Sequence, residues 1–212
     1  MTLPSPLYVI LDGQASGGRR LDELLDAVLA GGCRIVQLRE KTMPPAGLFP
    51  LAQGLRRRCR EAGALFIVND RVDLALAVQA DGAHVGQDDL PAREARRLLP
   101  PPMILGVSTH NQDQARRARD DGADYVAVGS MFPTGSKVGF ELVGPELVRR
   151  VRADIPVPLV AIGGITRDNL SQVMEAGADA VAVISAVGNA RDPAAAVRGF
   201  LETIRSAQGG AR

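Results

Sequence analysis

The feature that most constrains the fold of this sequence is a recurring unit: the end of a helix, a glycine turn and a short apolar strand. Four copies stand out, namely AGGCRIVQLR (30–39), ADGAHVGQ (80–87), DGADYVAVG (121–129) and AGADAVAVI (176–184). Glycine suits the end of a helix because it adopts the left-handed backbone conformation without strain. The strands lack polar alternation, which is typical of parallel strands buried on both faces. The repetition predicts a chain built from strand–helix units.

The segments between these copies complete eight strand–helix units in strict alternation. Strands are predicted at 7–12, 34–39, 65–69, 82–86, 103–108, 125–129, 158–163 and 180–184, and helices near 20–30, 46–61, 71–79, 91–98, 111–121, 144–153, 168–176 and 193–206. Pro91, Pro145 and Pro193 stand at predicted helix starts, where the missing N–H of proline is not needed. The pattern predicts an α/β protein, a single (β/α)8 TIM-barrel domain over 1–212 with a frayed tail at 206–212. An open doubly wound sheet is the alternative, but the eight units and the repeats favour closure.

Composition and charge exclude several classes of function. Lysine and arginine number 25 against 24 acidic residues, so no overall field attracts nucleic acid or a membrane surface. Arginine clusters at 56–60, 93–97 and 116–119 lie in predicted helices and are interpreted as solvated outer faces. Cys33 and Cys59 lack metal-binding or CxxC spacing, which indicates reduced thiols in a cytoplasmic protein. We predict neither a signal peptide nor a membrane span, and the oligomeric state, including a homo-oligomer, stays open.

Polar groups gather where the predicted strands end, and in a TIM barrel this C-terminal face holds the active site. Seven of the eight strand ends carry such groups. They are Asp12; Gln37, Arg39, Glu40 and Lys41; Asn69 and Asp70; Gln87, Asp88 and Asp89; Ser108, Thr109 and His110; the loop from Thr134 to Lys137; and Ser185. We therefore predict a ligand site on this face. His84, which lies on a buried strand, is interpreted as structural.

The segment QLREK (37–41) places Gln37, Arg39 and Lys41 on one side of an extended strand. Two cations on one face inside a barrel are costly unless an anion neutralises them. A polyphosphate or carboxylate ligand would do so. The alternative is an ion pair with Glu40 or with other nearby acids.

The segments NDR (69–71) and QDD (87–89) place carboxylates at the ends of adjacent strands. Neighbouring carboxylates repel each other unless they share a proton or a cation. Two aspartates, water and a diphosphate form a natural arrangement for Mg²⁺. Alternatively, Asp70 and Asp89 are N-caps of the helices that follow. The sequence alone does not separate Asp88 from Asp89.

Three further segments have the composition of phosphate-binding loops. GGIT (163–166) and Ile184–Ser185 follow the seventh and eighth strands, where this fold commonly binds phosphate. TGSK (134–137) offers hydroxyls and an ammonium after the sixth strand, but it lacks the spacing of a Walker A loop. Taken singly, each glycine could equally serve a simple turn.

Seven motifs in register, QLREK, ND, HVGQDD, GVSTH, FPTGSK, AIGGI and VISA, resemble the thiamine-phosphate synthase family over nearly the whole chain. The resemblance implies a barrel with phosphate-binding loops at its C-terminal face that joins a pyrimidine diphosphate to a thiazole phosphate, with Mg²⁺ as cofactor. It also implies residue roles. The pyrimidine substrate would meet Gln37, Leu38, Arg39, Glu40, Lys41, Asn69, Ser108 and Lys137; the thiazole phosphate Thr134, Gly135, Ser136, Gly164, Ile184 and Ser185; and the metal Asp70 and Asp89. Lys137, Arg39 and Lys41 would be catalytic.

The sequence departs from the family pattern at two positions. Ser130 stands where members usually have proline, and Ser136 where they usually have threonine. Related thiazole tautomerases resemble this chain but place a catalytic histidine at the turn of Ser130, and they lack the full magnesium pair. Because serine cannot serve as that base, the synthase is favoured. A tautomerase-like isomerase and a non-catalytic binding protein of the thiamine pathway are the alternatives, and segment 13–20 is either a lid or a long loop.

Overall fold

Eight parallel strands close into a barrel in the computed structural model, which describes residues 2–133 and 142–209. The strands are β1 (Leu7–Asp12), β2 (Ile35–Arg39), β3 (Leu65–Asn69), β4 (Gly82–Val85), β5 (Ile104–Thr109), β6 (Tyr125–Val128), β7 (Leu159–Ile162) and β8 (Ala180–Val183). Each strand pairs with the next in sequence, and β8 pairs with β1. The predicted (β/α)8 TIM barrel is thus confirmed, and the open-sheet alternative is wrong.

Helices alternate with the strands and cover the outside of the barrel. They are α1 (Leu21–Ala30), α2 (Pro45–Glu61), α3 (Val72–Ala77), α4 (Ala92–Leu98), α5 (Gln112–Asp120), α6 (Gly144–Asp154), α7 (Leu170–Glu175), α8 (Ser185–Gly188) and α9 (Pro193–Gly209). The predicted prolines do mark helix starts at α4, α6 and α9. The sequence missed the short helix α8, and α9 continues past 206, where fraying was expected. Among the described residues, no helix is long and apolar enough to cross a membrane.

The hydrophobic residues form two layers, and the layer of a strand residue decides whether it can reach a ligand. The inner layer fills the barrel and includes Tyr8, Ile67, Tyr125 and Val160. The outer layer packs between strands and helices and includes Leu38, which is 2% exposed. Alternation along each strand sends successive side chains to opposite layers. Only the inner-facing positions therefore point toward the mouth of the barrel.

The repeat at 80–87 departs from the predicted turn. In the other three copies, the left-handed residue is a glycine, at Gly32, Gly122 and Gly177. Here Gln79 takes that conformation with φ 53°, and Gly82 lies inside β4. A Cβ on Gly82 would lie 2.0 Å from a backbone carbonyl oxygen of β5. The prediction that Gly82 forms the turn is wrong, because this glycine instead permits the close approach of two strands.

An aspartate precedes β4, β6 and β8 and closes the lower end of the barrel in the same way each time. The three are Asp81, Asp124 and Asp179. In that order, they accept backbone N–H bonds of 2.7–2.8 Å from Phe66, Leu105 and Leu159. In the same order, they form ion pairs with Arg56, Arg96 and Arg152. The side chains of Arg56 and Arg96 are 21% and 18% exposed. The prediction of wholly solvated arginine clusters is therefore wrong at these two positions, because each arginine reaches back to a strand start.

Replacing Asp81 with alanine is expected to lower the free energy of unfolding by about 1–3 kcal/mol, because the buried N–H of Phe66 loses its acceptor. Urea unfolding followed by circular dichroism measures the change. Glu202→Ala, which removes an exposed carboxylate from α9, is the control and should leave the unfolding midpoint unchanged. Equal stability of the two variants would contradict a bridging role for Asp81.

Candidate active site

Two adjoining cavities occupy the C-terminal mouth of the barrel. The first is lined by inner-facing residues that include Gln37, Arg39, Asn69 and Ser108. The second is lined by residues at and just after the C-terminal ends of β5, β6, β7 and β8. The two cavities share five lining residues, which are Ser108, Ala127, Ile162, Ala182 and Ile184. The structure thus brings strand ends that are distant in sequence to one site.

The two cations of QLREK are each paired with an acid at the end of a neighbouring strand. Arg39 Nη1 donates to Asp12 Oδ2, and the β1–β2 register places these two residues side by side. Lys41 Nζ donates to Asp70 Oδ2 at the rim. The ion pairs that the sequence analysis offered as the alternative to an anionic ligand are therefore present, but with Asp12 and Asp70 rather than with Glu40. Asp12, 5% exposed, is a member of the site that the sequence did not assign a role.

The carboxyl groups of Asp70 and Asp89 lie close enough to interact, because Asp89 acts on the pKa of Asp70. Burial raises the pKa of the Asp70 carboxyl; the ammonium of Lys41 acts in the opposite direction, and the adjacent Asp89 raises the pKa further. Asp89 also accepts the N–H of Gly86 at 2.7 Å, whereas Asp88 is exposed. The structure therefore distinguishes the two acids: Asp89 lies beside Asp70, and Asp88 does not.

The N-cap alternative for these two aspartates is wrong. The residue that caps α3 is Arg71, and the residue that caps α4 is Pro91. Within 2–133 and 142–209, no group of three or more His, Cys, Asp or Glu residues is placed to hold a metal ion. The Asp70–Asp89 pair fits a cation whose other ligands are water or substrate oxygens, because two neighbouring carboxylates that are partly buried repel each other unless they share a proton or a cation.

Leu38 and Glu40 direct their side chains away from the two cavities. Leu38 packs in the outer hydrophobic layer. Glu40 folds onto its own turn, where its carboxylate accepts bonds from the N–H and hydroxyl of Thr42, both at 2.8 Å, and from the N–H of Met43. Burial alone would raise the pKa of Glu40, but these hydrogen bonds outweigh it and the pKa is lowered. A substrate contact at either residue would fall to backbone atoms and stays a prediction.

The turn after β7 requires glycine for two separate reasons. Gly164 has φ 64°, and a Cβ there would lie 2.6 and 2.5 Å from the carbonyl oxygens of Phe132 and Pro133. Asn169 holds the turn by donating to the carbonyl of Gly164 at 3.0 Å and accepting the N–H of Thr166 at 2.8 Å. Gly164 lines the second cavity together with Ile184 and Ser185. These three predicted phosphate-binding positions are thus brought together.

Segment 13–20 is fastened to α8 rather than standing over the site. The Arg19 guanidinium donates to the carbonyl oxygens of Gly188 at 3.1 Å and Ala190 at 2.8 Å. Ser16 is 3% exposed. These contacts favour the loop interpretation over the lid.

Four predicted site residues, Thr134, Gly135, Ser136 and Lys137, lie outside the described residues. His110, which the sequence placed on this face without a role, borders the second cavity, and its Nδ1 lies 2.6 Å from the carbonyl oxygen of Gly129. His84 is buried, as predicted, but its ring bonds to Tyr125 and to Ser108. A polar residue on each of several apolar strands was the available signal for this interior contact.

The fold and site define a class: (β/α)8 barrels with glycine turns, paired carboxylates and cations at the C-terminal face. A family model described as thiamine monophosphate synthase matches residues 7–187. The thiamine-phosphate synthase of Moorella thermoacetica is 52% identical over 204 residues, covering 96% of this chain and 97% of the relative. That of Methanospirillum hungatei is 47% identical over 199 residues, covering 93% and 97%.

Among solved structures, thiamine phosphate pyrophosphorylase from Pyrococcus furiosus superposes with a TM-score of 0.87 at 37% identity, covering 95% of this chain and 96% of that one. The chain therefore belongs to the thiamine monophosphate synthase family. Membership supports an enzyme of thiamine biosynthesis that acts as a transferase.

Proposed function

We propose that the chain is a magnesium-dependent thiamine-phosphate synthase. It joins 4-amino-2-methyl-5-(diphosphooxymethyl)pyrimidine to 4-methyl-5-(2-phosphoethyl)thiazole and releases pyrophosphate; with the carboxylated form of that thiazole, CO2 is released as well. Both partners are small molecules, and a cytoplasmic location stays a prediction from the sequence.

The observation that carries the proposal is the shared wall of the two cavities. Ser108 and Ile184 border both cavities, so ligands in the two spaces would lie next to each other. An isomerase that acts on one ligand needs only one such space. Two adjoining spaces support a reaction that forms a bond between two substrates.

The first cavity and its rim suit the pyrimidine diphosphate. Gln37, Asn69 and Ser108 offer neutral donors and acceptors to the ring, while Arg39 and Lys41 offer positive charge at the rim. Their present partners, Asp12 and Asp70, would be replaced or shared when a polyanion enters. Lys137, which lies outside the described residues, would add a further cation to the diphosphate.

The second cavity suits the thiazole phosphate. The turn at Gly164 and the chain at Ile184–Ser185 border it with backbone groups and a hydroxyl. Because residue 164 is glycine, no side chain covers the backbone where an anion would approach. Thr134, Gly135 and Ser136 would complete this phosphate site from residues outside the described part of the chain.

The proposed mechanism is a dissociative alkyl transfer. The bond between the methylene carbon and the diphosphate oxygen breaks, its electron pair leaves with pyrophosphate, and the thiazole nitrogen then donates its lone pair to the methylene carbon. Asp70 and Asp89 would hold Mg²⁺, which would supply positive charge to the departing oxygens. Arg39, Lys41 and Lys137 would spread the same charge, and the cavity walls would align the two rings. The chemistry requires no general base.

Incubating the chain with both substrates, with and without Mg²⁺, tests the proposal. Thiamine phosphate and pyrophosphate should appear in equal amounts, and only when Mg²⁺ is present. Turnover of the thiazole phosphate alone, without metal, would instead identify an isomerase. Binding of both substrates without any product would identify a binding protein.

A further inference from the structure

A continuous chain of hydrogen bonds crosses the barrel interior and forms part of the floor of the first cavity. Its links are Gln37 Nε2 to Tyr8 Oη (2.8 Å), Tyr8 Oη to Tyr125 Oη (3.0 Å), Tyr125 Oη to His84 Nδ1 (2.9 Å) and His84 Nε2 to Ser108 Oγ (2.8 Å). The chain joins residues of β1, β2, β4, β5 and β6. Its two ends are the neutral side chains assigned above to the pyrimidine ring.

We propose that Tyr8, Tyr125 and His84 are positioning residues that fix which atoms of Gln37 and Ser108 donate and accept in the first cavity. The consequence is a preference for a pyrimidine that carries an amino group over one that carries an oxo group. This inference rests on the proposed function, since it concerns how that site selects its ring.

The side chains of this hydrogen-bonded path fit inside the barrel because the residue beside them is a glycine. Gly106 of β5 lies beside them, and a Cβ there would lie 2.1 Å from Tyr125 Cζ and 2.5 Å from His84 Nδ1. The rings of His84 and Tyr125 stack with centroids 5.5 Å apart, and those of Tyr8 and Tyr125 meet edge to face at 6.0 Å. Packing on this scale restricts each ring to one orientation, so the hydrogen bonds hold one geometry.

The direction of these hydrogen bonds is inferred by starting from Gln37, whose amide nitrogen has a fixed role as donor. The amide nitrogen of Gln37 can only donate, so Tyr8 accepts from it, and the partner inferred for the hydroxyl hydrogen of Tyr8 is Tyr125, whose Oη lies 3.0 Å away. Tyr125 in turn donates to His84 Nδ1. A neutral imidazole with an accepting Nδ1 carries its hydrogen on Nε2, and this nitrogen donates to Ser108 Oγ.

Burial keeps the two phenols neutral, as the direction of the chain requires. Tyr8 and Tyr125 are 1% and 0% exposed. Burial is the main cause that raises the pKa of Tyr8, and burial together with the nearby Tyr8 raises the pKa of Tyr125 well above its ordinary value. Each phenol therefore keeps its single hydrogen for donation.

The two ends of the chain present a defined pattern to a ring. Gln37 gives one amide hydrogen to Tyr8, which orients the amide group and leaves its carbonyl oxygen to accept from a donor in the cavity. Ser108 accepts from His84, which leaves its hydroxyl hydrogen to donate. An aminopyrimidine offers the complement, an amine that donates and a ring nitrogen beside it that accepts. An oxo analogue reverses both groups, and a buried mismatch of this kind is costly.

The tautomer of His84 provides the first test. The protein has two histidines, so the ring nitrogen chemical shifts of the wild-type protein are assignable by comparison with a His110→Gln variant. We expect the neutral tautomer with hydrogen on Nε2 at His84. Hydrogen on Nδ1 would reverse the chain, make Ser108 the donor to His84, and overturn the inference even if no variant folds.

The second test removes one oxygen from the middle of the chain. Tyr125→Phe touches neither Gln37 nor Ser108, and Tyr125 does not line either cavity. Calorimetry measures the Kd of the aminopyrimidine diphosphate, of its 4-oxo analogue and of inorganic pyrophosphate, each without the thiazole. We expect the preference for amino over oxo to fall about tenfold while the Kd of pyrophosphate stays unchanged. Ser5→Ala, which removes a buried hydroxyl at the opposite end of the barrel, is the control and should keep the preference.

The outcomes separate this inference from the proposed function. If Tyr125→Phe loses stability but keeps the wild-type preference, the chain serves packing alone and the inference fails by itself. If the wild-type protein does not bind the aminopyrimidine diphosphate, the proposed function fails, and the inference fails because it rests on that function.

Discussion

Asp89→Asn is expected to slow the formation of thiamine phosphate by about 10²–10³-fold at saturating substrates, because it removes one of the two carboxylates proposed to hold Mg²⁺ against the departing diphosphate. Asparagine keeps an oxygen that can accept the N–H of Gly86, so the turn before α4 should persist. Initial rates over a range of Mg²⁺ concentrations measure the effect. We also expect the concentration of Mg²⁺ needed for half-maximal rate to rise.

Asp88→Asn is the matched control, because it changes the same chemical group one position earlier in the chain. Asp88 is exposed, whereas Asp89 is partly buried and interacts with Asp70. The Asp88 variant should keep the wild-type rate and the wild-type dependence on Mg²⁺. If the two variants lose activity equally, the assignment of the metal to Asp70 and Asp89 is wrong.

The sequence predicts the barrel well because the signals for it are local and repeated. An apolar strand without polar alternation needs cover on both faces, and a helix after each strand provides it. The error at Gly82 has a definite cause. A glycine can allow a left-handed turn or a close approach of two strands, and the sequence does not distinguish these uses. Only the β4–β5 register, which puts Gly82 opposite Ile104, identifies the second.

The candidate site is predicted less completely, because its contacts depend on register rather than on spacing. The pairing of Arg39 with Asp12 follows from the alignment of β1 with β2, between residues 27 positions apart. Which aspartate of QDD meets Asp70 depends on the turn before α4, where Asp89 accepts the N–H of Gly86 and Asp88 is exposed. The motifs predict neighbouring carboxylates, but they reveal neither the partner of Arg39 nor the choice between Asp88 and Asp89.

The interior chain shows the same limit more strongly. Tyr8 and Tyr125 are 117 residues apart and meet only because β1 and β6 face each other across the closed barrel. On the sequence each is one polar residue in an apolar strand, and such a residue more often packs than acts. Closure of the barrel is what turns separate strand positions into a connected polar path.

Gly164→Ala is expected to lower kcat/KM for the thiazole phosphate by about 100-fold, since small displacements of a binding turn have effects of this size. The added methyl would overlap the carbonyl oxygens of Phe132 and Pro133, so the segment after β6 would move away from the turn. Binding of the pyrimidine diphosphate, which does not use this turn, should be retained. Steady-state kinetics with each substrate varied in turn, together with calorimetry on the pyrimidine diphosphate, measure both effects.

Gly63→Ala separates backbone strain from the loss of close approach. Gly63 has the same φ of 64° as Gly164, but a Cβ there meets no atom within 4 Å. Gly63→Ala should lose about 1–2 kcal/mol of unfolding free energy, because alanine is strained in the left-handed region, and Gly164→Ala should lose at least as much because its methyl also overlaps two carbonyl oxygens. Only Gly164→Ala should also lose activity toward the thiazole phosphate. Normal kcat/KM in that variant, or an equal loss in Gly63→Ala, would show that the contact between the two loops does not form the phosphate site.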